Sequence, residues 1–258
     1  VPYAPRWLAR ALDKPYVLGD GEFEGVPVAR PRYPVLPRRM LYTTVAPVVA
    51  FSSRRAFDAA ADAGAQFVHA HALYPSAAAA RRLAVRQALP LIITVHGSDL
   101  YSNLVRPGWA TELRAALDAA SAVVCVSPAL ARDVIGLAGA DPDTVCVIPD
   151  TYDDQRFAHV ARRRVASEPL RFVSVGRLVP VKGHDVLVRA FASAVHGGLS
   201  ARLEIVGGGP ERATLEGLAA AQGVSELVSF RGPLGGSALA DAVNAADVFV
   251  LPSRREGL

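Results

Sequence analysis

Short apolar blocks alternate with longer amphipathic stretches along most of this chain. Gln66–His69, Leu91–Val95, Ala122–Val126 and Val145–Ile148 are brief runs of aliphatic and β-branched residues, the composition of strands buried on both faces. Helical spacing fills the intervals at Pro75–Ala88, Thr111–Ala120 and Pro128–Leu137, and also runs from about Leu41 to Ala63. Two of these helices open on proline, which is tolerated in a first turn because the amide it lacks would be unpaired there anyway. The alternation resumes further on, with strands expected at Phe172–Val175, Ala201–Val206, Leu227–Phe230 and Val248–Leu251. Helices from Asp185 to Val195, up to Gln222 and from Ser237 to Ala246 separate them. Such βα alternation predicts parallel sheets with helices on both faces, so the fold class is α/β.

The polar stretch Asp150–Pro169, with three arginines at 162–164, interrupts the rhythm. It divides the chain into a first domain over 1–155, a linker over 156–168 and a second domain over 169–258. Before Leu41 the pattern has no sustained period, although Val26–Val28 can form an edge strand, where proline is tolerated. Arg30, Arg32, Arg38 and Arg39 make that region basic. They form a solvated face, or a surface for anionic lipid headgroups or an anionic acceptor.

Composition narrows the function classes. The chain has 258 residues, 51% of them hydrophobic, enough for two ordinary domains with real cores. A net charge of +4 without a nucleic-acid-binding motif does not point to DNA or RNA. Cys125 and Cys146 each lie in an apolar run and read as reduced core residues of a cytoplasmic protein rather than a disulfide framework. No run approaches the roughly 20 apolar residues of a membrane helix.

The stretch Leu170–Asp185, LRFVSVGRLVPVKGHD, carries the clearest chemistry. A buried strand ends at Gly176, Arg177 and Lys182 follow in the loop, and a helix begins at once. Loops at the carboxyl edge of a parallel sheet are where ligands bind, and helix N-termini favour anions, so this loop suits a diphosphate. Lys182 is one of only two lysines, with Lys14, among 28 basic residues. A compact ammonium where the chain elsewhere uses arginine marks the position. Gly207–Gly208–Gly209–Pro210 likewise follows a strand and opens a helix, without matching the dinucleotide fingerprint. His69, His71 and His96 fall at or just past strand ends. A zinc site there is disfavoured because no cysteine or carboxylate ligand set accompanies them, so no metal is assigned. Neither Ser98 nor Ser127 stands in a nucleophile elbow.

Taken together, Gly176–Arg177–Leu178 with Lys182–Gly183, Val206–Pro210, and Ala246–Ser253 with Glu256–Gly257 resemble the donor-domain signature of retaining family 4 glycosyltransferases. His69–Ala70–His71, Thr94–Asp99 and Val126–Ser127 are similar to the first half of that family. The resemblance implies the GT-B fold, two Rossmann-like domains facing across a cleft, and transfer of a sugar from a UDP- or GDP-linked donor to a hydroxyl acceptor with retention. The acceptor class it implies is a lipid-linked or polysaccharide intermediate, and no cofactor or metal ion is needed. By the same resemblance Arg177 and Lys182 hold the diphosphate, Gly208, Gly209 and Gly257 line the donor side, and Glu256 contacts the sugar. His96 and Glu256 are the catalytic candidates, and His71, Ser98 and Asp99 are acceptor-side. The expected location is cytoplasmic, peripheral at the inner membrane face. A sugar-nucleotide epimerase and a non-catalytic binding module are the alternatives. Asp150–Asp153 reads Asp-Thr-Tyr-Asp where the family usually has Asn-Gly-Val-Asp. The chain begins without methionine and stops just past Gly257, so it is expected to be part of a longer protein and inactive alone.

Overall fold

In the computed structural model, residues 2–3, 20–23, 25–34, 44–104, 108–158, 165 and 167–257 are described. Lys14, Arg38, Arg39 and the arginines at 162–164 lie outside them. Contacts divide the chain into one unit of Val1–Asp150 with Gly257–Leu258 and a second of Thr151–Glu256.

The first unit opens with short strands. β1 (Pro2–Tyr3) pairs with β4 (Tyr33–Pro34), and β2 (Gly21–Phe23) pairs antiparallel with β3 (Val26–Val28), the expected edge strand. Helix α1 (Val45–Asp62) follows. Then β5 (Val68–His71), β6 (Leu91–Val95), β7 (Ala122–Cys125) and β8 (Val145–Val147) form a wholly parallel sheet in sequence order. Helices α2 (Ala78–Arg86), α3 (Ser98–Leu104), α4 (Trp109–Asp118) and α5 (Pro128–Ala138) make the crossovers. Ile93, Val95, Leu113, Leu117, Val123 and Val134 are fully or almost fully buried in the core beneath them. The cap of α5 was written in the sequence. Ser127 Oγ accepts from the Leu130 amide at 3.2 Å, proline stands in the first turn, and Gly139 closes the helix in the left-handed region at φ 71°.

Four expectations need correction here. β5 starts at Val68, not Gln66, and continues through His71 rather than ending at His69. Val68 and Ala70 are the inward positions and Phe67 is 53% exposed, so the register that buries apolar side chains begins two residues later. The helix expected from Pro75 starts as α2 at Ala78, after a wide turn over Leu73–Ala77. Tyr74 precedes proline, which disfavours the helical region; it is extended (φ −122°, ψ 134°), and its ring stacks on Trp109 at 4.5 Å. Cys125 is buried, but Cys146 is exposed, because β8 is an edge strand of the sheet. Burial pushes the Cys125 thiol up to about 11. No helix was expected over Ser98–Leu104, where α3 forms.

Arg82 joins α2 to α4, donating from Nη1 and Nη2 to the two Glu112 oxygens at 2.9 and 2.7 Å. The hydrogen bonds from Arg82 hold the Glu112 carboxyl below its ordinary value, against the effect of burial. A carboxyl lowered in the folded state stabilises the fold above its unfolded value, about 4.3. That contribution is lost as pH falls through the lower native value. In acid titrations followed by circular dichroism, Glu112→Gln is therefore expected to flatten the loss of stability below pH about 4.3 relative to wild type. Identical acid slopes would contradict this.

The second unit repeats the theme. β9 (Leu170–Val175), β10 (Ala201–Val206), β11 (Val228–Gly232) and β12 (Val248–Phe249) form a parallel sheet in the order β11-β10-β9-β12. Helices α6 (His184–His196), α7 (Arg212–Ala221) and α8 (Gly236–Asn244) connect them. β12 is shorter than expected, ending at Phe249, and Leu251 is 52% exposed. Val188, Phe191, Leu203, Ile205 and Leu215 fill the core, together with Leu178 from the loop after β9. The chain steps from β9 to β10 to β11 and then returns to the far side of β9 as β12. That reversal opens a crevice at the carboxyl ends of β9 and β12, the place where open α/β sheets bind ligands. Among the described residues no helix is long and apolar enough to cross a membrane.

Candidate functional site

Three loops meet at the β9–β12 crevice. The first follows β9 through Gly176 and Arg177, makes a 3₁₀ turn at Pro180–Lys182, and enters α6 through Gly183 in the left-handed region at φ 66°. Leu178, wholly buried, pins its middle into the core. The glycine-rich loop after β10 lies directly beneath it. Gly176 N donates to Val206 O at 2.9 Å and Leu178 N to Gly208 O at 3.0 Å. A Cβ on Gly207 (φ 147°) would come within 1.8 Å of Gly176 O, and one on Gly209 within 2.4 Å of Leu178 O. Two of the three glycines are therefore needed for backbone to lie on backbone. Gly208 is different: a Cβ there would meet only Pro233, at 3.6 Å.

The third loop follows β12 and is clamped over the first. Arg254 N donates to Val181 O at 2.8 Å, and the Arg254 guanidinium grips Asp185 through two hydrogen bonds of 2.9 and 2.7 Å. The hydrogen bonds from Arg254 hold the Asp185 carboxyl below its usual value. Gly183 packs so closely under Pro252 that a Cβ would stand 2.1 Å from the Pro252 carbonyl oxygen. These contacts bring Glu256 to Lys182, with Oε1 2.6 Å from Nζ. Burial, the largest single influence, works to raise the Glu256 carboxyl, but the hydrogen bonds from Lys182 and Ser253 and the charge of Lys182 together outweigh it and keep the group below its ordinary value. The Glu256 carboxyl is therefore ionised at neutral pH.

Arg177 is exposed and has no ion-pair partner among the described residues. His184, at the start of α6, is buried, and neither ring nitrogen has a hydrogen-bond partner among the described residues. Burial first, and then the charge of Lys182, lower its pKa, so the ring is neutral. At the start of α6 the amides of Val186 and Leu187 donate to the Gly183 carbonyl at 2.9 and 3.2 Å.

The first unit gathers its own polar cluster at the ends of β5 and β6. His71 Nδ1 and His96 Nε2 are 3.1 Å apart, His69 Nε2 lies 2.8 Å from Thr94 Oγ1, and His96 Nδ1 is 3.7 Å from an Asp150 oxygen. The facing nitrogens of His71 and His96 engage one another rather than converging on a common point. Asp99 accepts from the amides of Leu73 (2.9 Å) and His96 (3.2 Å), fixing the two strand-end loops together. Ser98 is the exposed first residue of α3. Gly257 groups with this unit; its carbonyl accepts from Ser127 Oγ at 2.6 Å.

The structure thus brings Lys182 and Glu256 into contact, with Arg177, Gly208 and Gly209 on the adjoining loops, and it brings His71, His96 and Asp99 into contact. Asp150, Asp185, His184 and Arg254 were missed as members of these clusters. Asp185 and Arg254 are 69 residues apart, and no periodicity links such a pair.

Two parallel α/β units, the second with a topological switch point at β9 and β12, are those of the GT-B fold, which the chain shares with solved glycosyltransferases. A sucrose-phosphate synthase from Thermosynechococcus elongatus superposes with a TM-score of 0.72 at 21% identity, over 95% of this chain and 64% of that one. Anabaena HepE in complex with UDP and glucose gives a TM-score of 0.63 at 20% identity, over 89% of this chain and 61% of the other. The Glycosyltransferase Family 4 model matches residues 5–156, and the model for Glycosyl transferases group 1 matches residues 155–258. The chain belongs to the family 4 glycosyltransferases. It is 36% identical over 194 residues to a D-inositol 3-phosphate glycosyltransferase of Actinosynnema mirum, covering 66% of this chain and 46% of that protein. A GDP-mannose-dependent alpha-(1-6)-phosphatidylinositol monomannoside mannosyltransferase of Mycobacterium tuberculosis is 32% identical over 190 residues, covering 71% of this chain and 49% of that protein. The chain spans about half the length of these curated relatives.

Proposed function

We propose that the protein moves a sugar, with retention of configuration, from a nucleotide-diphosphate sugar to a hydroxyl of a polyol, lipid-linked or polysaccharide acceptor. The observation that carries this reading is the cationic pair Arg177 and Lys182 beside Glu256 at the β9–β12 switch point. Arg177 and Lys182 take the diphosphate, Gly208, Gly209 and Gly257 line the donor side, and Glu256 accepts hydrogen bonds from the sugar hydroxyls. His96 is the histidine next to the reacting sugar, and His71, Ser98 and Asp99 serve the acceptor. Negative charge grows on the departing diphosphate in the transition state, and preorganised cations lower the barrier by opposing it. The lysine and arginine do the work that magnesium does in other phosphoryl sites, so the reaction is metal-independent. The relatives, a D-inositol 3-phosphate glycosyltransferase and a GDP-mannose-dependent mannosyltransferase, support this class of donor and acceptor. The protein acts in the cytoplasm, at the membrane face where lipid-linked acceptors lie, with Arg30 and Arg32 in its basic N-terminal region toward the headgroups.

The test is transfer of radiolabelled sugar by the full-length protein from UDP-glucose or GDP-mannose to inositol phosphates and extracted lipids, with and without EDTA. Label is expected in acceptor from one donor, undiminished by EDTA. Transfer lost in EDTA and restored by magnesium would contradict the electrostatic account, and no transfer from either donor would contradict the activity.

A further inference from the structure

The donor site contains its own anion. Lys182 and Glu256 are 26% and 31% exposed, and their 2.6 Å contact neutralises one of the site's cations before any ligand arrives. Arg254 is likewise taken up by Asp185, which leaves Arg177 as the open positive charge among the described residues of these loops. The pairing is held in place: Arg254 is bonded to both Val181 and Asp185, so the loop carrying Glu256 is fixed against the loop carrying Lys182.

We propose that Glu256 is a resident counter-ion that makes this site select a sugar-substituted diphosphate over a bare nucleoside diphosphate. The inference rests on the donor-site reading above and specifies how that site discriminates. A terminal phosphate ionises a second time near pH 6, so a bare nucleoside diphosphate brings close to two negative charges on its last phosphorus. To reach Lys182 it must stand beside the Glu256 carboxylate, and like charges at close range oppose binding. A sugar ester brings one charge on that phosphorus. It also carries hydroxyl donors, which a carboxylate accepts strongly. The carboxylate therefore repels one ligand and holds the other. After transfer the product left in the site is the bare diphosphate, so the same residue promotes its release.

The experiment is calorimetric titration of the 258-residue chain, as wild type and as Glu256→Gln, with UDP, UDP-glucose, GDP and GDP-mannose. Glutamine keeps the shape and reach, removes the charge and exchanges one acceptor oxygen for an NH2 donor. Wild type is expected to prefer the sugar ester of its nucleotide. Glu256→Gln is expected to bind the bare diphosphate at least about tenfold more tightly than wild type, with no gain for the sugar ester. Adding Lys182→Ala to Glu256→Gln is expected to abolish the gain. If Glu256→Gln binds the bare diphosphate no more tightly while wild type binds both ligands, the counter-ion proposal fails and the donor site stands. A gain that survives in the double variant would also overturn it, because the freed charge would not be that of Lys182. If wild type and Glu256→Gln bind none of the four ligands, the donor-site reading itself fails and takes the proposal with it.

Discussion

Lys182→Ala is expected to weaken binding of the nucleotide-sugar donor about 10–100-fold, the loss of one charge-assisted hydrogen bond worth about 1.5–3 kcal/mol. Two effects set the direction, and they act together. Removing the ammonium takes a positive charge from the diphosphate, and it also leaves Glu256, 2.6 Å away, as an uncompensated carboxylate in a half-buried site. Both effects disfavour a diphosphate, so the loss exceeds that from a cation standing alone. Lys182→Arg is expected to recover only part of the affinity, because a planar fork does not replace a compact ammonium confined beside a carboxylate. Calorimetric titration with UDP-glucose and GDP-mannose measures both variants. Wild-type affinity in Lys182→Ala would remove the lysine from the diphosphate.

Gly207→Ala is expected to destabilise the second unit by about 2–6 kcal/mol, from overpacking of about 1–3 and backbone strain of about 1–3. Its backbone stands at φ 147°, and the added methyl would be driven to 1.8 Å from the Gly176 carbonyl oxygen. Backbone on both sides leaves nothing flexible to yield. Against a typical domain stability of about 5–15 kcal/mol this is a large loss. Gly208→Ala is the matched control, since its methyl would meet only Pro233 at 3.6 Å. Its thermal midpoint is expected to stay near wild type. Chemical denaturation of the two variants separates these outcomes, and equal stability would contradict the loop packing described here.

The contrast between these neighbouring glycines shows what the sequence could and could not convey. GGGP after a strand announced a tight loop, but not which glycines face backbone and which face open space. That depends on the loop after β9 lying across them, a contact between segments some 30 residues apart. The strand–loop–helix at Leu170–His196 was legible because its strand is apolar, its loop holds the cations and its helix begins at once, all within one local stretch. The α5 boundaries were legible for the same reason: serine, proline and glycine act within one turn. The start of α2 was missed although its signal was present, in the tyrosine before Pro75. The exposure of Cys146 was not readable, because its strand has the composition of its buried neighbours and only the strand order makes it an edge.

The site divides along the same line. Arg177 and Lys182 were found because they share a loop, and Glu256 because it ends a recognisable strand signature. Their ion pair, and the Asp185–Arg254 clamp that holds the two loops together, arise from folding across about 70 residues. The link between Asp150 and His96, 3.7 Å apart, is of the same kind.

Hydrogen–deuterium exchange with and without donor tests the central claim most directly, because it reports where the ligand sits whatever the turnover. On adding UDP-glucose or GDP-mannose, new protection is expected in peptides covering 176–183, 207–212 and 250–256, the three loops at the β9–β12 crevice. The same peptides in Lys182→Ala are expected to show little change at equal donor concentration. Protection confined to other parts of the chain, with these loops unchanged at saturating donor, would contradict the account.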